Sequence, residues 1–244
     1  MKGGGAMRLS YDLHIHSCLS PCGDADMTPN NIVHMALLAG FDMIALTDHN
    51  TAGNCAAFCR AAQRNGLLAL AGMELCTREE IHMICLFPTV QAAEGFSRQV
   101  ARRLPPLKNR PELFGHQYYM DEWDLVLGEE RAMLLAAADI GVGEAGALAA
   151  RFGGVAYPAH IDRASFSLLS VLGLWEPSLG FSLAEVSPRC SPEFRQRSDL
   201  TGVRLITSSD AHSLDQVWTA EHAMDLPEAT THAVLEYLRG DLPF

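Results

Sequence analysis

Histidines and carboxylates stand at the ends of short apolar runs along this chain. These are Ser10–His16, carrying His14 and His16; Met43–Asn50, carrying Asp48 and His49; Leu67–Glu74; Ile81–Phe87, with His82; Gly154–His160; and Val203–His212, carrying Asp210 and His212. A strand that ends in such a residue delivers it to the rim of a sheet or barrel. Several strands doing so build one polar site on an apolar scaffold. Imidazoles and carboxylates without thiolates suit zinc, manganese or iron bound in an open, hydrolytic way. In Asp12-Leu-His14-Ile-His16 side chains alternate, so both imidazoles share a strand face and can grip one ion. Asp12 has the same parity and could orient an imidazole from behind. A carboxylate bridge and several imidazoles can hold two cations roughly 3.5–4 Å apart, with a water between them as nucleophile near neutral pH. Ser17 and Cys18 lack a nucleophile-elbow or P-loop context, and no such nucleophile is required. The chemistry is that of a metal-dependent hydrolase.

Strand and helix signals alternate in the elements that must position these groups. After the first strand a helix opens at Thr28-Pro29, with threonine as N-cap and proline at the first helical position, and stops at Gly40. Strand 41–47, helix 52–65 and strand 68–75 follow. The seven residues between Glu74 and His82 are too few for a crossover helix and predict a hairpin-like turn. A helix over 89–104 ends at Pro105-Pro106. Residues 107–152 read as a helical insertion or cap, with helices at 125–138 and 144–152. Strands at 154–157, 181–186, 203–207 and 221–225 and a last helix at 230–239 complete a pattern that points to an α/β barrel, one domain over residues 8–244.

Composition narrows the function. The 244 residues carry a formal charge of -11, and only two of the 18 basic residues are lysines. Such a surface repels long nucleic acid and anionic membrane, while site metals can reverse the local field for a small phosphate ester. Hydrophobic residues make up 48% of the chain, ample for a core, yet no apolar stretch approaches a membrane span. The seven cysteines are odd in number and include no C-x-x-C, and the glycine-rich start is unlike a secretory leader, so a reducing, cytoplasmic setting is expected.

Asp12-Leu-His14-Ile-His16-Ser, Thr47-Asp48-His49-Asn50, Gly72-Met-Glu74, Pro158-Ala-His160 and Ser209-Asp210-Ala-His212 together resemble the PHP (polymerase and histidinol phosphatase) family, over about residues 10–225. That resemblance implies a distorted (β/α)7 barrel with two or three divalent metals (zinc, manganese or iron) at the C-terminal strand ends, and hydrolysis of phosphate esters. It also implies that His14, His16, Glu74 and Asp210 surround one metal, that Glu74 bridges to a second held with His82 and His160, and that Asp24, His49 and His212 hold a third. Asp26 competes with Asp24 for the loop position.

Arg163 follows His160 by three residues on the same rim and is the candidate phosphate clamp and catalytic arginine, because guanidinium binds phosphate oxygens bidentately. Arg189 is the second candidate for substrate binding. Glu185, at the end of its run, either orients a ligand histidine or is a rim charge. His34, His222 and His232 lack motif context, and His116 is a lesser candidate for a proton donor. The expected substrate is a small phosphate ester: a nucleotide, a short oligonucleotide or a sugar phosphate. Histidinol phosphate is the enzymatic alternative, and a non-catalytic metal-binding module the alternative of another class.

Overall fold

The computed structural model describes residues 6–217 and 220–242. Residues 1–5, on which the reading of the chain start rests, lie outside them. The elements are β1 (Met7–Ile15), α1 (Pro29–Ala39), β2 (Met43–Leu46), α2 (Cys55–Arg64), β3 (Leu68–Cys76), β4 (His82–Phe87), α3 (Val90–Ala101), α4 (Pro111–Phe114), β5 (Tyr118–Met120), β6 (Val126–Glu129), α5 (Val142–Ala150), β7 (Val155–Pro158), α6 (Leu168–Leu172), β8 (Leu183–Val186), α7 (Pro192–Arg195), β9 (Arg204–Thr207), β10 (Ala223–Leu226) and α8 (Thr231–Arg239).

Local chemistry accounts for the boundaries. Thr28 accepts from the Asn31 N–H to start α1 with Pro29 behind it, and Gly40 ends the helix in the left-handed region at φ 85°. Thr89 and Thr230 cap α3 and α8 in the same way. β2 is the unbroken apolar run Met43-Ile-Ala-Leu, buried on both faces as a central parallel strand should be.

The main sheet runs β10-β1-β2-β3-β4-β7. β1, β2 and β3 are parallel, whereas β4 is antiparallel to both β3 and β7. The turn between β3 and β4 is tight, closed by the Thr77 N–H to the Ile81 carbonyl at 2.9 Å, as the short interval predicts. β8 and β9 form a separate parallel pair. That pair sits between β7 and β1: the Ile161 N–H donates to Glu185 O at 2.8 Å, and His16 N–H to Ala211 O at 3.0 Å. The result is a mixed α/β fold with a curled sheet. Apolar side chains on one side of the sheet, including Ile44, Leu46 and Phe87, share a core with helix residues such as Phe58 of α2 and Phe96 of α3. Those on the other, including Leu13, Met43, Leu70 and Tyr157, pack toward β10 and α8.

The segment 107–152 is helical only in part, unlike the sequence expectation. A helix over 125–138 is replaced by the antiparallel pair β5–β6 and an irregular stretch. Side-chain amides take the place of helical hydrogen bonds there: Asn50 donates to the Leu134 and Ala136 carbonyls, and Gln117 to those of Glu130 and Ala132. Local helix propensity is overridden by partners far away in sequence. α5 does form, overlapping the helix expected at 144–152 but shifted two residues toward the N-terminus. Among the described residues, no helix is long and apolar enough to cross a membrane.

Candidate metal centre

The strand ends deliver their polar residues to one rim. His14 and His16 come from β1 and the residue after it, His49 follows β2, Glu74 lies late in β3, His82 opens the antiparallel β4, His160 follows β7 and Asp210 and His212 follow β9. The reversal of β4 is what allows a residue at its start to meet residues at the ends of β3 and β7, to both of which it runs antiparallel. All of these except His82 and His212 are buried. His160, Asp210 and Asn50 hold left-handed backbone angles of φ 30°, 55° and 52°. Such strain in non-glycine residues costs of order 1–3 kcal/mol each and concentrates at functional sites.

Glu74 is the hub. His82 Nδ1 lies 2.9 Å and His160 Nε2 3.1 Å from its Oε1, while His49 Nδ1 is 2.9 Å and His16 Nε2 3.4 Å from its Oε2. Asp210 Oδ1 is 3.1 Å from both His14 Nε2 and His16 Nε2. Three groups of convergent donor atoms result: His14, His16 and Asp210; His49, Glu74 and His82; and His16, His49 and His212. Asp24 and Asp26 belong to none of these groups. Both are exposed on the loop after β1, where the Asp24 N–H donates to the His212 carbonyl at 2.8 Å.

Two further contacts orient the first two imidazoles. His14 Nδ1 lies 2.8 Å from Glu185 Oε1, and His16 Nδ1 lies 3.0 Å from Ser20 Oγ. The Ser20 hydroxyl donates to Asp48 at 2.7 Å, so its oxygen is left to accept from His16 and from the His49 N–H. Both histidines therefore carry a proton on Nδ1 and turn Nε2 inward, where the two Nε2 atoms lie 3.0 Å apart. Glu185 thus is not a rim charge but orients the His14 ring. Asp12 does not: it accepts from the backbone N–H groups of His14 and Ser209. Sequence alone does not mark Ser20 and Asp48 as supports, because nothing in a serine five residues after a strand announces its partner.

This donor set fits divalent cations. His49 Nδ1, Glu74 Oε2 and Asp210 Oδ1 are buried with no hydrogen-bond partner despite their short separations, since their lone pairs converge rather than pair. The electrostatics agree. Burial pushes the Glu74 carboxyl up, but His82, His14 and His49 hold it well below the usual carboxylate range. Asp210 is likewise held low by His14 and His16 against its burial. Burial works against charging His16, yet the facing Asp210 and Glu74 carboxylates raise it to about 9. Burial lowers His49 to about 3 and His212 to about 4, so both present neutral imidazoles. Burial also pushes the Cys18 thiol to about 12, far from a reactive thiolate.

Arg163 stands over this centre with Nη1 2.6 Å from Asp210 Oδ2 and its side chain 44% exposed. It lines a cleft of about 90 Å³ with His49, Glu74, His82, His160 and Phe166. It also borders a larger cavity of about 780 Å³ that includes Asp12, Ser187, Arg189 and Asp210. Arg189 is exposed at that larger cavity. His116 is away from the centre, paired with Glu129.

A model of the PHP domain matches residues 12–153. The chain belongs to the PHP domain family. A 5'-3' exoribonuclease of Haemophilus influenzae is 35% identical over 83 residues, 33% of this chain and 29% of that protein. A 3',5'-nucleoside bisphosphate phosphatase of Chromobacterium violaceum is 35% identical over 80 residues, 32% of this chain and 27% of that protein. The matched stretch thus spans less than a third of either relative. A lesion-specific endonuclease from Pyrococcus furiosus shares the fold, with a TM-score of 0.68 at 16% identity, over 96% of this chain and 56% of that one.

Proposed function

We propose that this chain is a metal-dependent phosphoesterase acting on a small phosphate ester of the nucleotide type, and that its barrel-like sheet is the distorted (β/α)7 barrel of its family. The observation that carries the reading is the convergence of His14, His16, His49, His82 and His160 on Glu74 and Asp210, with buried lone pairs left unpaired. His14, His16 and Asp210 would hold one divalent ion, and His49, Glu74 and His82 another, with His160 against Glu74 and His212 beside His16. Bound ions would neutralise the phosphate charge and acidify a water to serve as nucleophile. The chain's own residues do the rest. Glu185 and Ser20 fix the imidazole orientations, and the Arg163 guanidinium can leave Asp210 to take a phosphate oxygen at the mouth.

The names of both sequence relatives concern RNA or nucleotides, which supports a nucleotide-type substrate over histidinol phosphate. A formal charge of -11 with few lysines supports a small substrate over a long duplex. The metal-loaded protein should release phosphate from nucleoside bisphosphates, nucleotides or short oligonucleotides, and chelator should abolish release. Turnover that survives complete metal removal, or none on any ester with metal bound, would overturn the reading. Preferred cleavage of duplex DNA would instead shift the substrate class toward that of the endonuclease neighbour.

A further inference from the structure

Phe166 is placed and strained in a way the metal centre does not require. It lies on the turn after β7, six residues past His160, and its backbone is left-handed at φ 54°. That region disfavours a bulky side chain and admits glycine freely. The turn is held there. The His82 N–H donates to the Phe166 carbonyl at 2.9 Å, the Arg163 N–H to the His160 carbonyl at 2.9 Å, and the Ser167 hydroxyl to the Arg163 carbonyl at 2.7 Å. One face of the Phe166 ring stacks on His82, with centroids 4.8 Å apart and planes at 22°. Even so, Phe166 remains 45% exposed, at the rim of the cleft shared by Glu74, His160 and Arg163.

The size of that cleft decides where the rest of a substrate goes. At about 90 Å³ it takes a phosphoryl group but falls far short of the roughly 300–1,000 Å³ that encloses a drug-sized ligand. The organic part of the ester must therefore lie on the rim or in the larger cavity beyond Arg163. On the rim, the exposed surface is a rigid aromatic ring. An aromatic face there suits a flat, π-bearing group, and a sugar or polyol phosphate offers none.

Resting on the phosphoesterase reading above, we propose that Phe166 is a specificity-determining residue whose ring stacks the base of a nucleoside phosphate while the phosphoryl group sits between Arg163 and the Glu74 cluster. The substrate class is thereby narrowed to esters with an aromatic base next to the scissile phosphate.

The test separates binding from turnover. Calorimetric titration of the metal-loaded protein with AMP and with inorganic phosphate is compared for wild type, Phe166→Ala and Phe166→Tyr. The expected result is that Phe166→Ala weakens AMP binding about 5- to 150-fold, the range that base–aromatic stacking supplies. Phosphate affinity and metal content should stay as in wild type, and Phe166→Tyr should restore AMP binding. Kinetics should follow suit, with KM rising for nucleotides and unchanged for glycerol phosphate. Equal weakening for AMP and phosphate, or loss of metal, would show that Phe166 only braces His82 and would overturn the proposal. So would an Arg189→Ala variant that loses AMP affinity while Phe166→Ala keeps it, since the base would then lie in the larger cavity. Wild-type binding of AMP without hydrolysis of any ester would sink the phosphoesterase reading and leave the stacking result to stand or fall by itself.

Discussion

Glu74 touches more of the site than any other side chain described above, with His14, His16, His49, His82 and His160 all within 3.4 Å of its carboxylate. Glu74→Ala should therefore lose more metal than removal of any single histidine, a comparison that elemental analysis of the purified variants makes directly. Arg163 sits differently. Its guanidinium pairs with Asp210 while staying 44% exposed, so it can exchange that partner for phosphate. Arg163→Ala should lower kcat/KM by roughly 1.5–3 kcal/mol of transition-state binding, the range for a hydrogen bond to a charged group. It should lose less metal than Glu74→Ala. Arg163→Lys should restore little, since an ammonium cannot make the two-pronged contact. Kinetics of Arg163→Ala within about twofold of wild type would reduce its role to pairing Asp210.

The elements set the precision of the site through contacts outside the ligand cluster. Ser20, on the turn after β1, joins His16 to Asp48 at the end of β2, tying two strand ends through one hydroxyl. Ser20→Ala should weaken metal binding about 10–100-fold, as removal of a ligand's supporting hydrogen bond does, with little change in the far-ultraviolet circular dichroism. Metal affinity equal to wild type would show that the Ser20 hydroxyl is not needed to hold His16 in place. Packing between strands is equally tight at Gly72 in β3. A side chain there would come within 2.9 Å of the Cys85 carbonyl on β4 and 3.1 Å of the Leu46 carbonyl on β2. Gly72→Ala should cost about 1–3 kcal/mol in denaturant unfolding, because the three strands cannot separate without losing their ladders.

For the molecule as a whole, protons and metals compete for the same interior. In the metal-free protein His16 is raised to about 9 and His14 well above its usual 6.5, with Glu185 and Ser20 already engaging their Nδ1 atoms. The titrating positions are therefore the inward Nε2 atoms. Metal loading must expel the proton that this facing pair of nitrogens holds, and affinity should fall as pH drops below about 9. Calorimetry in buffers of different ionisation enthalpy should show that release. A heat independent of the buffer would mean that the metal binds elsewhere. For stability without metal, a raised histidine pKa contributes fully below the unfolded value of 6.5 and is lost as pH rises through about 9. His49 and His212 act oppositely: lowered to about 3 and 4, they add stability above 6.5 that is lost as pH falls through those values.

The metal-binding character of the site was legible in the sequence because it depends on residue type and strand parity. Asp-Leu-His-Ile-His must place both imidazoles on one face of a strand, and apolar runs ending in His or Asp must present them at a rim. Helix starts at Thr28, Thr89 and Thr230 were equally local, since each cap is decided within four residues. What only the tertiary structure decided lies across long separations. Glu185 finds His14 over 171 positions, and Asn50 claims carbonyls 84 and 86 residues away, turning an expected helix into an irregular stretch beside a hairpin. The exposure of Phe166 above the cleft belongs to the same class. Sequence periodicity reports which face a residue takes on its own element, whereas the partner it meets there depends on how the sheet curls and brings distant loops together.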